Sequence, residues 1–232
     1  MTSASVSEVR SRHVSLAGAL IFISGVWGLI SLPIAEGMNP SYNVSSQSVS
    51  GLGVPYFSNS PPTCNTFPNC AIPIQPSSSV IVLSFFVSAV FALLAGYLLR
   101  RATAWKRFGL GILLIGMFLL LVGASYLPFY LGTPTSATSG VVVAAADLHI
   151  IGSIGTFLLA MVLMISAYRF TRGPFRYLSP VLGVVALAAL LLDVSGNDLG
   201  VGFGGMERIL IYSLDIWIIG FGAYLLGGSG ST

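Results

Sequence analysis

Charged side chains are scarce in this sequence. Asp, Glu, Lys and Arg make up 7% of its 232 residues, whereas about a quarter of the residues in a soluble protein are charged. This scarcity excludes an ordinary water-soluble domain. Hydrophobic residues make up 55% and the mean hydropathy is +0.91, so the composition indicates an integral membrane protein. The few Lys and Arg residues mostly lie beside hydrophobic runs, where they contact lipid headgroups, and nucleic acid is not an expected partner.

Cysteine and histidine are also rare, with two of each. We expect neither a metal nor a cofactor, because no cluster of His and Cys has the spacing of a metal site and no cofactor motif is complete. Cys64 and Cys70 enclose five residues, a pattern that favours a structural disulfide. The alternatives are a metal site, for which this segment lacks further ligands, and a redox pair, which usually has two intervening residues.

Six long apolar runs are present, each of roughly the length that crosses a bilayer as a helix. They cover approximately residues 14–33, 79–99, 108–127, 141–168, 177–192 and 209–226. Runs this continuous favour helices over barrel strands, which alternate over about ten residues. The sequence therefore predicts an all-α integral membrane bundle of six transmembrane helices. We expect an N-terminal segment (1–13), one membrane domain (14–226) and a flexible tail (227–232), with the first span retained rather than cleaved as a signal peptide.

The positive charges lie mainly on one side of this pattern. If the spans alternate, nine of the ten Lys and Arg residues fall on the side of the N-terminus, and Arg208 falls on the other. The positive-inside rule makes the side of the nine cytoplasmic. Both termini are then cytoplasmic and the long segment 34–78 is exoplasmic, in a multi-pass protein of the cell membrane. Glu36 is the one charge in that segment, and Asn43 begins an Asn-Val-Ser glycosylation pattern.

Polar residues gather near the predicted outer ends of the last three helices. They are His149, Asp193, Glu207, Arg208, Tyr212 and Asp215. Arg208, Tyr212 and Asp215 follow one another at i, i+4 and i+7, which places them on one face of a helix. Asp215 lies about 10 Å deeper than Arg208 at 1.5 Å per residue. Because a charged acid near the bilayer centre costs about 2.5–3.5 kcal/mol, Asp215 should face the interior of the bundle.

Two interpretations of this set remain open. One is a buried ion network that holds the helices in register, with Asp193 pairing with Arg208. The other is an outward-facing polar pocket, in which Arg208 holds a phosphate or carboxylate and His149 or a carboxylate acts as an acid or a base. His149 either hydrogen-bonds between helices or serves the pocket. Asp147, two positions earlier, points to another face and is expected to complement the start of the helix.

Short motifs spread along the chain carry a resemblance to a known family. They are Ser24-Gly25 in the first span, Ser50-Gly51-Leu52-Gly53 in the first outer segment, His149 at the start of the fourth helix, and Gly205-Met206-Glu207-Arg208 leading into Ile211-Tyr212 and Trp217. With them the chain resembles, over nearly its whole length, the archaeal and bacterial membrane proteins of domain of unknown function 998. The resemblance implies six helices in an archaeal cell membrane or a bacterial inner membrane, and no established activity. The family usually has an acid before Leu-Gly in the first loop where this chain has Gly51, which argues against a catalytic or metal-binding acid there.

Three functions follow as hypotheses. The first is binding of a membrane lipid or another amphiphile at the exoplasm-facing polar pocket. The second is a non-catalytic accessory subunit, with membrane-protein partner chains packed on its glycine-lined helix faces. The third is an intramembrane hydrolase or transferase, for which the sequence offers no Ser-His-Asp order and no multi-histidine cluster.

Overall fold

Six long helices make up most of the protein. The computed structural model describes residues 3–54, 75–130 and 140–227. The helices are α1 (Ser3–Gly37), α2 (Pro76–Arg101), α3 (Lys106–Ser125), α4 (Gly140–Ser166), α5 (Phe175–Val194) and α6 (Phe203–Gly227). Short helical turns lie in the connections at Ser50–Gly53, Thr103–Trp105, Leu127–Tyr130 and Ala167–Arg169. The described ranges contain no β-strand.

Each long helix includes a stretch that is long and apolar enough to cross a membrane. In α1 this stretch begins at Arg12, after the polar N-terminal residues. The predicted all-α bundle of six membrane helices is therefore confirmed, and the protein is a multi-pass membrane protein. The sides of the membrane assigned to the termini and to the long segment stay predictions.

The long segment after the first span is shorter than predicted, because α1 continues through Pro33 to Gly37. Proline lacks the N–H that would continue the helical hydrogen-bond ladder, but tertiary contacts hold the additional turn. Ala35 is fully buried, and Glu36 forms an ion pair with Arg208. Glu36 therefore belongs to a membrane helix rather than to a loop.

The start of α6 also differs from the prediction. This helix begins at Phe203, six residues before the predicted start of the last span at Ile209. Glu207 and Arg208 consequently lie in its second turn, where the helix is already packed against other elements. Arg208 is only 6% exposed.

The six helices form a closed ring in chain order. Each packs against the helix before it and the helix after it, and α6 returns to pack against α1. A ring of this kind brings residues from helices far apart in the sequence to a shared interior. It also exposes an aliphatic outer face on every helix, as a lipid environment requires.

Small residues allow neighbouring helices in the ring to approach closely. A Cβ added to Gly222 of α6 would lie 2.5 Å from the backbone nitrogen of Phe22 and 2.8 Å from the carbonyl of Gly18, both in α1. At Gly152 of α4, an added Cβ would lie 2.8 Å from the carbonyl of Phe118 in α3. Gly152 therefore lies where α3 and α4 come closest.

The two ends of the ring are closed differently. Gly18 lies beside Leu225 and Gly28 lies beside Asp215, so α1 and α6 run antiparallel. Residues 38–54, here called the roof segment, therefore cover the end of the bundle at which α6 begins. The carbonyl of Ser45 in this segment accepts a hydrogen bond of 2.9 Å from the backbone of Gly204 in α6.

An aromatic cluster fills the ring toward its other end. Its members are Trp105, Phe108, Phe175, Trp217 and Phe221. The rings of Trp217 and Phe221 stack with centroids 5.1 Å apart, and Phe108 lies 5.5 Å from Phe221. Phe221 is completely buried, so the cluster closes the interior at this level.

Candidate functional site

A cavity of about 230 Å³ lies inside the ring. Helices α1, α2, α3, α4 and α6 contribute to its wall, and α5 does not. Val49 and Ser50 of the roof segment bound it at one end, and Trp217 of the aromatic cluster lines it at the other. This volume lies just below the range of about 300–1,000 Å³ that is usual for small-molecule sites.

The wall of the cavity combines apolar side chains with a limited set of polar ones. The residues with hydroxyl groups are Ser24, Ser31, Ser50, Ser84, Ser88, Ser153 and Thr156. The titratable residues are His149, Glu207 and Asp215. In the part of the chain that the structure describes, no Lys or Arg lines the cavity. Among the described residues, the formal charges that the wall can carry are therefore two carboxylates and, when protonated, one imidazolium.

Asp215 lies deep in this cavity. It follows Glu207 by eight positions on α6, which is about 12 Å along the helix axis. The residue is 8% exposed, and its Oδ1 contacts Gly28, where an added Cβ would come within 2.7 Å. Its Oδ2 has no hydrogen-bond partner among the described residues. An unpaired carboxyl is costly inside a membrane protein. A hydrogen bond from a ligand to this oxygen would therefore contribute strongly to the free energy of binding.

The hydroxyl groups on the wall differ in whether they have a hydrogen-bond partner. The hydroxyls of Ser31 and Ser84 hydrogen-bond to each other at 2.9 Å and join α1 to α2. Thr156, in contrast, is 3% exposed and its Oγ1 has no partner among the described residues. The cavity thus contains a second unpaired polar atom besides Asp215.

Arg208 does not point into this cavity, although one of the two interpretations of the sequence placed it in the same pocket. Its Nε and Nη2 donate to one oxygen of Glu36 at 2.9 and 2.6 Å. Its Nη1 donates to the carbonyls of Val44 and Gly204 at 2.6 and 2.7 Å, and Nη2 also donates to the hydroxyl of Tyr42 at 2.8 Å. A guanidinium has five N–H groups, and these five bonds occupy all of them. The predicted pairing with Asp193 is replaced by Glu36, and no donor remains for a phosphate or carboxylate ligand.

Tyr42 completes this network within the roof segment. Its hydroxyl lies 3.0 and 2.9 Å from the carbonyls of Gln47 and Ser48, to one of which it donates. Burial raises the pKa of Tyr42, and the hydrogen bond from Arg208 opposes that shift. The phenol therefore stays protonated at neutral pH and keeps its donor. The network fixes the roof segment to the end of α1 and the start of α6.

Glu207 also binds the roof segment. Its Oε2 accepts a hydrogen bond of 2.6 Å from the backbone nitrogen of Val49, directly above the cavity. The carboxylate thus holds the roof while lining the space beneath it. Of the two acids on the wall, Glu207 already has a backbone donor, and Asp215 retains an unpaired oxygen.

His149 stands at the side of the cavity, between α3 and α4. Its Nδ1 lies 3.3 Å from the hydroxyl of Ser125. Ser125 donates its own proton to the carbonyl of Val122 at 2.6 Å, so it accepts from His149 rather than donating to it. This is the reverse of the arrangement in which a histidine activates a serine nucleophile. The contact is an interhelical hydrogen bond, which was one of the two roles predicted for His149.

A shallow groove on the roof side of α3 and α4 adjoins the cavity. His149 and Ser50 line both spaces. Ser125, Tyr126 and Phe129 line the groove but not the cavity. The ring of His149 meets that of Tyr126 edge-on at 5.4 Å. His149 and Ser50 therefore form the partition between the groove and the interior.

The structure divides the predicted pocket residues into two groups. His149, Glu207 and Asp215 line the cavity, whereas Asp193, Arg208 and Tyr212 do not. Tyr212 packs beside Leu32 and the roof segment, and Asp193 lies near the end of α5, which is outside the wall. Asp147 is exposed.

Sequence reasoning missed the hydroxyl groups, although a signal for them was present. Ser24 and Ser31 are seven positions apart on α1, and Ser84 and Ser88 are four apart on α2. On α4, His149, Ser153 and Thr156 follow at i, i+4 and i+7. These spacings place each set on one helix face, and in the structure these faces line the cavity.

A disulfide and a glycosylation site were also predicted in the segment after the first span. Cys64 and Cys70 lie outside the described residues, so their disulfide stays a prediction. Asn43 is exposed in the roof segment, where its Oδ1 accepts hydrogen bonds from the backbone nitrogens of Ser45 and Ser46. Its glycosylation likewise stays a prediction. Across the described ranges, no three His, Cys, Asp or Glu residues come together in a geometry that could hold a metal ion.

A comparison with protein families gives a match over most of the chain. The model of a family described as protein of unknown function (DUF998) matches residues 16–224. No curated protein and no solved structure matches the chain. The match extends from the first membrane helix to the last and includes every described residue that lines the cavity, and the chain therefore belongs to the DUF998 family.

Proposed function

We propose that this protein binds one small amphiphile inside its ring of helices. The observation that carries this proposal is the cavity beside Asp215, which joins a mostly apolar wall to an unpaired buried carboxyl oxygen. Binding sites for small molecules typically combine apolar walls with a few well-placed polar groups. An amphiphile has both kinds of surface, and it reaches such a site from the membrane.

The size and position of the cavity limit the ligand. A volume of about 230 Å³ accommodates a molecule with a single short chain and is too small for a two-chain phospholipid. The groove between α3 and α4 supplies an entry beside the roof segment. Movement of His149 away from Ser125 and Tyr126 opens this path, at the cost of a hydrogen bond of 3.3 Å and an edge-on ring contact.

The other two hypotheses have less geometric support. A hydrolase needs an activated nucleophile, and the Ser125–His149 contact is oriented the other way. An accessory subunit needs a face for a partner chain. The apolar outer face of α5 suits lipid tails as well as protein, so it does not favour that function.

Quenching of Trp217 fluorescence tests the proposal. In a variant that keeps Trp217 as its single tryptophan (Trp27→Phe and Trp105→Phe), bound 2-bromooctan-1-ol should hold its bromine close to this ring. The bromine is next to the hydroxyl that binds Asp215, and Trp217, two positions further along α6, also lines the cavity. We expect saturable quenching in lipid nanodiscs, since the interior holds one molecule. Probe that only partitions into the lipid gives a linear increase without saturation.

Ser88 supplies a matched pair of control variants. It lines the cavity from α2, so Ser88→Phe fills the space with an aromatic ring, whereas Ser88→Ala leaves the space open. We expect Ser88→Phe to abolish the saturable phase and Ser88→Ala to retain it. Linear quenching in the parent variant, or saturation that persists in Ser88→Phe, would refute binding in the cavity.

A further inference from the structure

We infer that the polar group recognised in the cavity is a primary ammonium, held by the carboxyl group of Asp215. This inference rests on the proposed function and deepens it by naming the chemical class of the ligand. It also replaces the anionic ligand that one interpretation of the sequence assigned to Arg208. Three features of the protein support it: the charges on the wall of the cavity, the unpaired oxygen atoms of Asp215 and Thr156, and the hydrogen bonds of Arg208.

The charges on the wall disfavour an anion. Glu207 and Asp215 are both acids, and in the described part of the chain no Lys or Arg lines the cavity. Arg208, the nearest cation along α6, has its five N–H groups bound to Glu36, Tyr42 and two carbonyls. An anionic group would therefore meet carboxyls without a compensating cation, whereas a cation finds opposite charge.

Two unpaired oxygen atoms in the wall favour a ligand group with several hydrogen-bond donors. Oδ2 of Asp215 and Oγ1 of Thr156 are both buried in the wall and without partners among the described residues. A primary ammonium has three N–H donors, and an alcohol has one. The ammonium can bind Asp215 and still donate to a hydroxyl oxygen on the wall. Glu207 is the weaker candidate because Val49 already donates to it at 2.6 Å.

The remainder of the cavity suits the chain of such a ligand. Aliphatic side chains from α1, α2, α3 and α6 cover most of the wall, together with the rings of Phe85, Phe157 and Trp217. Aromatic rings attract a cation that lies over their faces, and they also bury an alkyl chain. A single-chain alkylamine therefore matches the acid, the hydroxyls and the apolar wall together.

Competition among three ligands of equal chain length tests this assignment. Octylamine, octan-1-ol and octanoate are each titrated against 2-bromooctan-1-ol in the single-Trp217 variant, and recovery of fluorescence reports displacement. We expect octylamine to compete at least about tenfold more strongly than octan-1-ol, which corresponds to about 1.4 kcal/mol, and octanoate to compete least. Equal competition by amine and alcohol, or stronger competition by octanoate, would overturn the inference.

Two acids that differ in location provide the control. Asp215→Asn should remove the advantage of octylamine over octan-1-ol while 2-bromooctan-1-ol still binds, whereas Asp147→Asn, at an exposed position, should leave the advantage intact. An advantage that survives Asp215→Asn would contradict the role of Asp215. If the Asn variant does not fold, Gly28→Ala tests the role of Asp215 instead. Its methyl group would lie 2.7 Å from Oδ1 of Asp215 and should weaken the binding of octylamine more than that of octan-1-ol. Absence of saturable quenching by the brominated alcohol would instead reject the proposed function itself.

Discussion

Replacing Arg208 with alanine is expected to destabilise the protein by about 3–5 kcal/mol, the usual cost of removing one partner from a buried ion pair. The substitution leaves Glu36, whose side chain is 16% exposed, without its counter-charge. It also removes the hydrogen bonds that the carbonyls of Val44 and Gly204 receive from the guanidinium. Denaturant unfolding of the purified protein, followed by tryptophan fluorescence, measures the change in free energy.

Arg172→Ala is the matched control for this prediction. Arg172 is exposed in the connection between α4 and α5, and substitutions at such positions usually change stability by less than about 0.5 kcal/mol. A double variant of Arg208→Ala with Glu36→Gln should recover part of the loss, because it removes the uncompensated acid. Equal stability of the Arg208 and Arg172 variants would show that the ion pair does not hold the roof segment.

Replacing Gly222 with alanine is expected to destabilise the protein by about 1–3 kcal/mol through overpacking. The added methyl group would lie 2.5 Å from the backbone nitrogen of Phe22 and 2.8 Å from the carbonyl of Gly18. Both are backbone atoms, which cannot relieve the overlap by a change of rotamer, so α1 and α6 must separate. This contact closes the ring, and its loss should also weaken the saturable quenching of Trp217.

The same substitution elsewhere on α6 gives the comparison. Gly227 ends this helix and has no atom within 4 Å of an added Cβ, so Gly227→Ala should leave both stability and quenching unchanged. Thermal unfolding and the quenching titration are measured on both variants. Indistinguishable results for Gly222→Ala and Gly227→Ala would mean that α1 and α6 are not in close contact.

Hydrophobicity predicted the helices well, because the length of an apolar run is a local property of the sequence. Their ends were harder, since tertiary contacts decide them. Pro33 marked a plausible end for the first span, yet α1 continues to Gly37. The additional turn exists because Glu36 meets Arg208, which is 172 positions away in the chain. No local pattern identifies such a partner.

The site was only partly predictable for the same reason. Helical spacing placed Arg208, Tyr212 and Asp215 on one face of α6. Arg208 and Asp215 are about 10 Å apart along the helix, however, and they contact different neighbours. At the level of Arg208 the neighbour is the roof segment, and at the level of Asp215 it is the cavity. The hydroxyl stripes on α1, α2 and α4 were visible in the sequence, but only the closed ring shows that they face one space.

The central claim is that the ring of helices holds one small amphiphile beside Asp215. Native mass spectrometry tests it most directly, applied to the protein and its Ser88→Phe and Ser88→Ala variants as each is extracted from the membrane in which it was made. We predict one bound molecule of small mass per chain in the unaltered protein and in Ser88→Ala, and none in Ser88→Phe. An unaltered protein without any bound mass, or a bound mass that Ser88→Phe retains, would contradict the claim.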